Sequence, residues 1–307
     1  MIVPAATSSP GSAAPLPQAP RLDLLLDLQP RGADVFVGPP HAEGLPRTLG
    51  GLLLGQAVMA AGANVDAGLL PDSLHARFLQ AGHGTEPVSY RVTRRHDGRS
   101  FATRAVEACQ DGTVIFSATL SFHRAEPGFE HEQRGPAVPA PEELADLAAQ
   151  LASAELAAAE WVAELAGRIP FEVRFTAPFR QDAAVRGVAD EPRQRFWMRP
   201  RVRLADDAVL HAAALAYASD CFLLSSALPP HRLLLSGTQF ASLDHVMWFH
   251  TRVHFDDWLL YDQDGARTAQ ARAWCRGAIH DRHGHHVASV AQEGLVRPLR
   301  TNHEVAR

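Results

Sequence analysis

Three polar side chains in the C-terminal half stand where the surrounding pattern predicts apolar ones. Asp220 follows Tyr217 by three residues and Ala213 by seven, so on a helix its carboxylate shares the side that Ala213, Tyr217 and Leu224 bury. A carboxylate there is costly unless it is hydrogen-bonded or put to use. Gln292 breaks the apolar run Val287-Ala288-Ser289-Val290-Ala291 at the place where an internal repeat, described below, carries Leu120. Ser242, within Gln239-Phe240-Ala241-Ser242-Leu243-Asp244-His245, adds a hydroxyl on a strand. A carboxylate accepts protons, and a neutral amide and a hydroxyl hydrogen-bond without competing charge. The plainer alternatives are a satisfied carboxylate near a helix C-terminus and a structural strand serine.

Other reactive groups fit structural roles better. Cys221 follows Asp220 directly, but adjacent helical residues point about 100° apart, and a buried small hydrophobe is the expected role. The tract Asp281-Arg282-His283-Gly284-His285-His286 invites a zinc or nickel site. It reads instead as a hairpin turn whose adjacent side chains diverge, so no metal is expected. Asp244, His245 and His250 read as strand residues at an interface between modules.

Composition removes whole mechanisms. All 29 cationic residues are arginine, which excludes a Schiff-base lysine and the P-loop lysine. A net charge of −5 supplies no basic field for nucleic acid. Cys109, Cys221 and Cys275 are odd in number and far apart, which fits a reducing, cytoplasmic setting without disulfides or a cysteine zinc site. The stretch Leu49 to Val65 is broken by Gly50, Gly51, Gly55, Gln56, Gly62 and Asn64, so no membrane span is expected and the protein should be soluble.

The elements that must position the three polar groups come in two sets. Arg21 to Gln29 reads as a short amphipathic helix closed by Pro30, and Gly50 to Val65 as a helix of small residues that lets a neighbour approach closely. Strands follow at Ser73 to Leu79, Val88 to Arg95, and Phe101 to Phe122 with a turn at Gln110-Asp111-Gly112. The second set has strands at Phe171 to Phe175 and Gln194 to Leu204, a helix from Ala208 to Leu224 capped by Asp206 or Asp207, then strands to the end. Ser73-Leu74 corresponds to Ser242-Leu243, and the hairpin at Asp111-Gly112 to that at His283-Gly284, with nearly equal spacing in each half.

Two copies of one helix-plus-antiparallel-sheet module, an α+β fold, are therefore expected. The expected boundaries are a disordered, proline-broken leader at 1–20, a first module at 21–125 and a linker at 126–169. That linker carries a helix from Pro141 to Ala166; a second module at 170–300 and a tail at 301–307 follow.

The chain from about Arg21 to Pro298 resembles the bacterial acyl-CoA thioesterase II family. In the first half the resemblance rests on Gly50-Gly51 with Gly55-Gln56-Ala57, on Phe78-Leu79-Gln80-Ala81-Gly82, on Asp97-Gly98-Arg99-Ser100-Phe101 and on Pro127-Gly128-Phe129-Glu130-His131. In the second half it rests on Tyr217-Ala218-Ser219-Asp220, Asp244-His245, Met247-Trp248-Phe249-His250, Trp258-Leu259-Leu260-Tyr261 and Val290-Ala291-Gln292-Glu293-Gly294.

The resemblance implies a double hotdog fold, two tandem modules each with a central helix wrapped by an antiparallel sheet. It also implies hydrolysis of acyl-CoA, with an Asp, a Thr and a Gln holding the water that attacks the thioester carbonyl. Asp220 and Gln292 match two of the three; Ser242 stands where the family has Thr, and Leu52 where it often has a polar residue. Such chemistry needs no covalent nucleophile, which suits a chain without a GxSxG elbow. No cofactor is implied, and a dimer or tetramer is expected. The alternative is a noncatalytic acyl-thioester binding protein; an enoyl-thioester hydratase lacks its D-x-N-P-x-H segment here.

Overall fold

The computed structural model describes residues 19–41, 46–152, 167–177, 189–232 and 238–298. The expected leader lies outside these except for its last two residues, as does the expected tail. In the N-terminal half the order is α1 (Leu22–Leu25), β1 (Gln29–Pro30), β2 (Val35–Gly38), α2 (Gly50–Gly62), β3 (Leu70–Phe78), β4 (Val88–Asp97), β5 (Phe101–Gln110) and β6 (Thr113–His123). After α3 (Leu147–Ala152), the C-terminal half runs β7 (Phe171–Phe175), β8 (Arg193–Pro200), α4 (Ala208–Ser219), β9 (Thr238–Ser242), β10 (Asp244–Phe249), β11 (Leu259–Ala269), β12 (Arg272–His280) and β13 (His286–Pro298).

The strands form one antiparallel sheet in the order β1-β2-β4-β5-β6-β3-β10-β13-β12-β11-β8-β7, with β9 beside β13. The halves meet at the β3–β10 pair, in register from Asp244↔Arg77 to Trp248↔Ser73. The Arg77 guanidinium bridges to Asp244 across this seam at 3.1 Å. On the inner face α2 packs against α4. Where they meet, α2 presents Gly51, Gly55 and Gly62 to Tyr217, Ala213 and Val209 of α4, and a Cβ on Gly51 would lie 2.4 Å from the Tyr217 carbonyl oxygen. The closeness expected of the small-residue helix is thus spent on its counterpart from the other half. The apolar stretch Ala208–His231 meets the length and composition of a membrane span, but it is mostly buried inside the fold, where a core helix belongs.

Four expectations about elements need correction. The first helix is a single turn, because Gln29 and Pro30 pair with Val37 and Phe36 as an edge strand instead of ending a longer helix. The linker helix expected over 141–166 is interrupted: Pro141–Glu143 is a 3-10 turn, Leu144 is extended, and a new helix starts at Leu147. Residues 153–166 of that expectation lie outside the described residues. Strand β8 stops at Pro200, short of Leu204, whose N–H donates to the Asp256 carboxylate at 2.9 Å.

Helix α4 begins as expected, with the Asp207 carboxylate accepting from Val209 and Leu210 N–H. It ends five residues early, at Ser219. Phe222 adopts φ 62°, in the left-handed region that stops a helix. Its ring packs against Phe175 and Phe196, and that burial offsets the backbone cost.

Candidate active site

Asp220 occupies the C-cap of α4, and its surroundings come from both halves. The N-cap of α2 is Leu49, whose side chain accepts no hydrogen bond. The missing acceptor arrives from the other half: Asp220 Oδ2 accepts from Gly51 N–H at 2.9 Å. The carboxylate therefore sits at the positive end of a 13-residue helix.

The second oxygen of Asp220 faces the other two predicted residues. Gln292 Nε2 donates to Asp220 Oδ1 at 3.0 Å and to Ser242 Oγ at 2.7 Å. Ser242 Oγ in turn lies 3.5 Å from Asp220 Oδ1. Asp220, Ser242 and Gln292 come from three elements widely separated in sequence and meet in one cluster.

Strand side chains fix the helix end that carries Asp220. Tyr261 Oη donates to the Ser219 carbonyl at 2.7 Å, Gln263 Nε2 to the Cys221 carbonyl at 2.8 Å, and Gln194 Nε2 to the Phe222 carbonyl at 2.7 Å. Carbonyls freed where the helix stops are thereby satisfied in the interior.

A bulge aims Ser242. The pairing to β13 slips by one residue between Ser242↔Gly294 and Val246↔Ala291, with Leu243 N–H donating to the Glu293 carbonyl at the slip. Leu243 also accepts from Phe78 N–H, which ties the bulge to the first half.

The cluster opens into an apolar cavity of about 250 Å³ lined by Leu49, Gly51, Tyr217, Asp220, Phe240 and Ser242, among others. Cys221 also lines it, half-buried instead of fully buried as expected. Burial, with Asp220 adding to it, pushes its thiol pKa well up, so the group stays protonated and is a poor nucleophile. Gln56, the polar residue of α2, is consumed structurally: it donates to the Leu25 and Pro39 carbonyls and accepts from Tyr90 Oη.

The histidine tract forms a turn organised by Asp281, whose carboxylate accepts from His283 and His285 N–H, with Gly284 at φ 82°. Its side chains diverge: His285 meets Glu132, whereas His286 stacks on His280. Among the described residues no group of three His, Cys, Asp or Glu could hold a metal ion.

His245 lies on a strand at the junction of the modules, as expected, but its contact with the site was not foreseen from the sequence. Its ring is fully buried and hydrogen-bonds Gln292 Oε1 and Ser219 Oγ, each at 2.8 Å. Burial lowers its pKa against the opposing pull of Asp220. The available signal was the period-two alternation that places His245 on the buried side of β10 with Met247 and Phe249.

Two family profiles match the chain: "Acyl-CoA thioesterase" over residues 171–295 and "Acyl-CoA thioesterase N-terminal domain" over residues 39–123. Acyl-coenzyme A thioesterase 8 of Homo sapiens is 33% identical, with 89% of this chain and 88% of that protein covered. The crystal structure of an acyl-CoA thioesterase II, TesB2, from Mycobacterium marinum superposes with a TM-score of 0.73 at 36% identity, covering 91% of this chain and 98% of that one. A protein of unknown function with a hot dog fold from Alicyclobacillus acidocaldarius superposes at a TM-score of 0.71 and 19% identity, covering 91% and 98%.

Proposed function

The chain is a member of the acyl-CoA thioesterase II family, a double hotdog thioester hydrolase acting on acyl-CoA, and from that premise we propose that Asp220, Ser242 and Gln292 activate the hydrolytic water. The observation that carries this reading is the double anchoring of Asp220. Gly51 N–H holds one oxygen and Gln292 the other, at the mouth of an apolar cavity suited to an acyl chain.

In this reading a water next to Asp220 gives a proton to the carboxylate as its oxygen bonds to the thioester carbonyl carbon. The tetrahedral adduct then collapses, the carbon–sulfur bond breaks, and Asp220 returns the proton to the departing CoA thiolate. Ser242 and Gln292 aim the water without adding charge that would compete with the carboxylate. The apolar lining keeps bulk water away and strengthens each polar contact.

A thiol-release assay across acyl-CoAs of increasing chain length tests the reading. Saturable release is the expected result. Saturable binding without release would instead support a noncatalytic acyl-thioester binding protein, the alternative that the serine at position 242 motivates.

The serine itself is testable. Ser242→Thr is expected to keep or modestly raise turnover, because the branched Cβ restricts χ1 and holds the hydroxyl in one orientation. Ser242→Ala is expected to lower turnover roughly five- to a hundredfold, the cost of losing a half-buried hydroxyl that accepts from Gln292 and faces Asp220. Equal turnover for all three proteins would remove Ser242 from the site.

A further inference from the structure

We infer that His245 is a positioning residue that orients the Gln292 amide, with its imidazole holding Gln292 Oε1 so that the NH2 group faces Asp220 and Ser242. The inference rests on the proposed water-activating role of Asp220, Ser242 and Gln292. A glutamine amide has two ends of nearly equal shape, and nothing in its own covalent structure selects which one faces the carboxylate. Reversed, it would set its carbonyl oxygen against Asp220 Oδ1, now 3.0 Å from Nε2, and an ionised carboxylate would repel it.

The hydrogen bonds around His245 admit two arrangements, and the amide orientation that Asp220 accepts, with Gln292 Nε2 facing the carboxylate and Oε1 facing the ring, decides between them. The Ser219 hydroxyl has a single proton and lies 2.8 Å from both His245 Nε2 and the Ala216 carbonyl oxygen. Given to Nε2, that proton makes Nε2 an acceptor, so a neutral ring carries its hydrogen on Nδ1 and donates it to Gln292 Oε1 at 2.8 Å. Given to Ala216, it leaves Nε2 as the donor and Nδ1 bare against Gln292 Oε1, or forces the amide to reverse. The direction of the His245 pKa, set by its burial, agrees with a neutral ring. Ser219, His245 and Gln292 thus form a chain from the end of α4 through the seam strand to the carboxylate. His245 pairs across that seam with Ala76 of β3, so the modules' junction also fixes the orientation of the amide.

The contrast between two amide substitutions tests this. An asparagine at 245 places Nδ2 close to the position of the histidine Nδ1, whereas a glutamine places Nε2 near the histidine Nε2. Both bury an amide, so both tax folding alike, but only the first keeps a donor for Gln292 Oε1. His245→Asn is expected to retain at least about a third of kcat, and His245→Gln to lose about tenfold or more in kcat with KM changed less than about threefold. In a Gln292→Leu background His245→Gln is expected to cost less than about twofold more, since no amide remains to orient.

Equal kcat for the two histidine variants, or the full His245→Gln loss recurring in the Gln292→Leu background, would overturn the inference while leaving the site reading intact. Asp220→Asn measured alongside separates the two. If it retained the wild-type rate while His245→Gln lost it, the site reading would fall and this inference with it. Should neither histidine variant fold, Ser219→Ala removes the donor to Nε2 and is expected to lower kcat about threefold; an unchanged kcat would refute the orienting role.

Discussion

Asp220→Asn is expected to lower turnover about 10²- to 10⁴-fold with the fold retained, because it removes the proton acceptor while keeping the side chain's size. The carboxylate now accepts from Gly51 N–H with one oxygen and from Gln292 Nε2 with the other. An asparagine offers one oxygen and one NH2 group, so it keeps one contact and opposes a donor to a donor at the other. Relief by turning the Gln292 amide works against the His245 ring that holds Oε1, so a stability cost of about 1 to 2 kcal/mol accompanies the loss of rate. Thiol release and thermal melting on the same preparation check both halves of the statement. Retention of more than a third of wild-type turnover would end the assigned role.

Gly51→Ala is expected to cost both stability and rate. The added Cβ would stand 2.4 Å from the Tyr217 carbonyl oxygen and 3.3 Å from the carbon that bears it. Those are backbone atoms of the helix that carries Asp220, and they cannot swing aside as a side chain could. Alanine's better helix propensity is worth roughly 0.5 to 1 kcal/mol, less than the roughly 1 to 3 kcal/mol typical of overpacking. The clash, at 2.4 Å from a backbone atom, therefore outweighs the gain in propensity. Relief requires α2 and α4 to separate, which lengthens the Gly51 to Asp220 hydrogen bond and shifts the carboxylate. A displacement on the order of 1 Å can cost about a hundredfold in rate, so a kcat loss of about ten- to a hundredfold with a lowered melting temperature is expected. Gly128→Ala, where an added Cβ meets nothing within 4 Å, is the control. Unchanged kcat and melting in Gly51→Ala would show that the helices tolerate separation without disturbing the carboxylate.

The tandem plan was legible because strand alternation and turn residues repeat in each half, and the turn glycines Gly112 and Gly284 both take positive φ. Asp220 and Gln292 were legible as polar residues on apolar faces. The contact of His245 with the site was not, and the reason is the bulge at Leu243. Regular alternation puts Ser242 and His245 on opposite sides of a strand, whereas the one-residue slip lets both reach Gln292. The early end of α4 was hidden too, since nothing local marks Phe222 for a left-handed conformation; its tertiary packing between phenylalanines decides it. Leu49 at an N-cap reads as a poor helix start until the carboxylate from the other half is seen.

The β3–β10 seam has a consequence for concentration. Gly51 and Asp220 belong to opposite halves, so modules made as separate chains would assemble this cluster by a second-order encounter and lose it on dilution. Joined in one chain, the halves meet at an effective concentration of order millimolar for a flexible tether, whatever the amount of protein present. Specific activity should then be independent of dilution as far as this junction is concerned. Joining also breaks the duplication that a symmetric pair imposes, in which every substitution appears twice. In a single chain one half can carry Asp220 and the other the bare helix end that receives it.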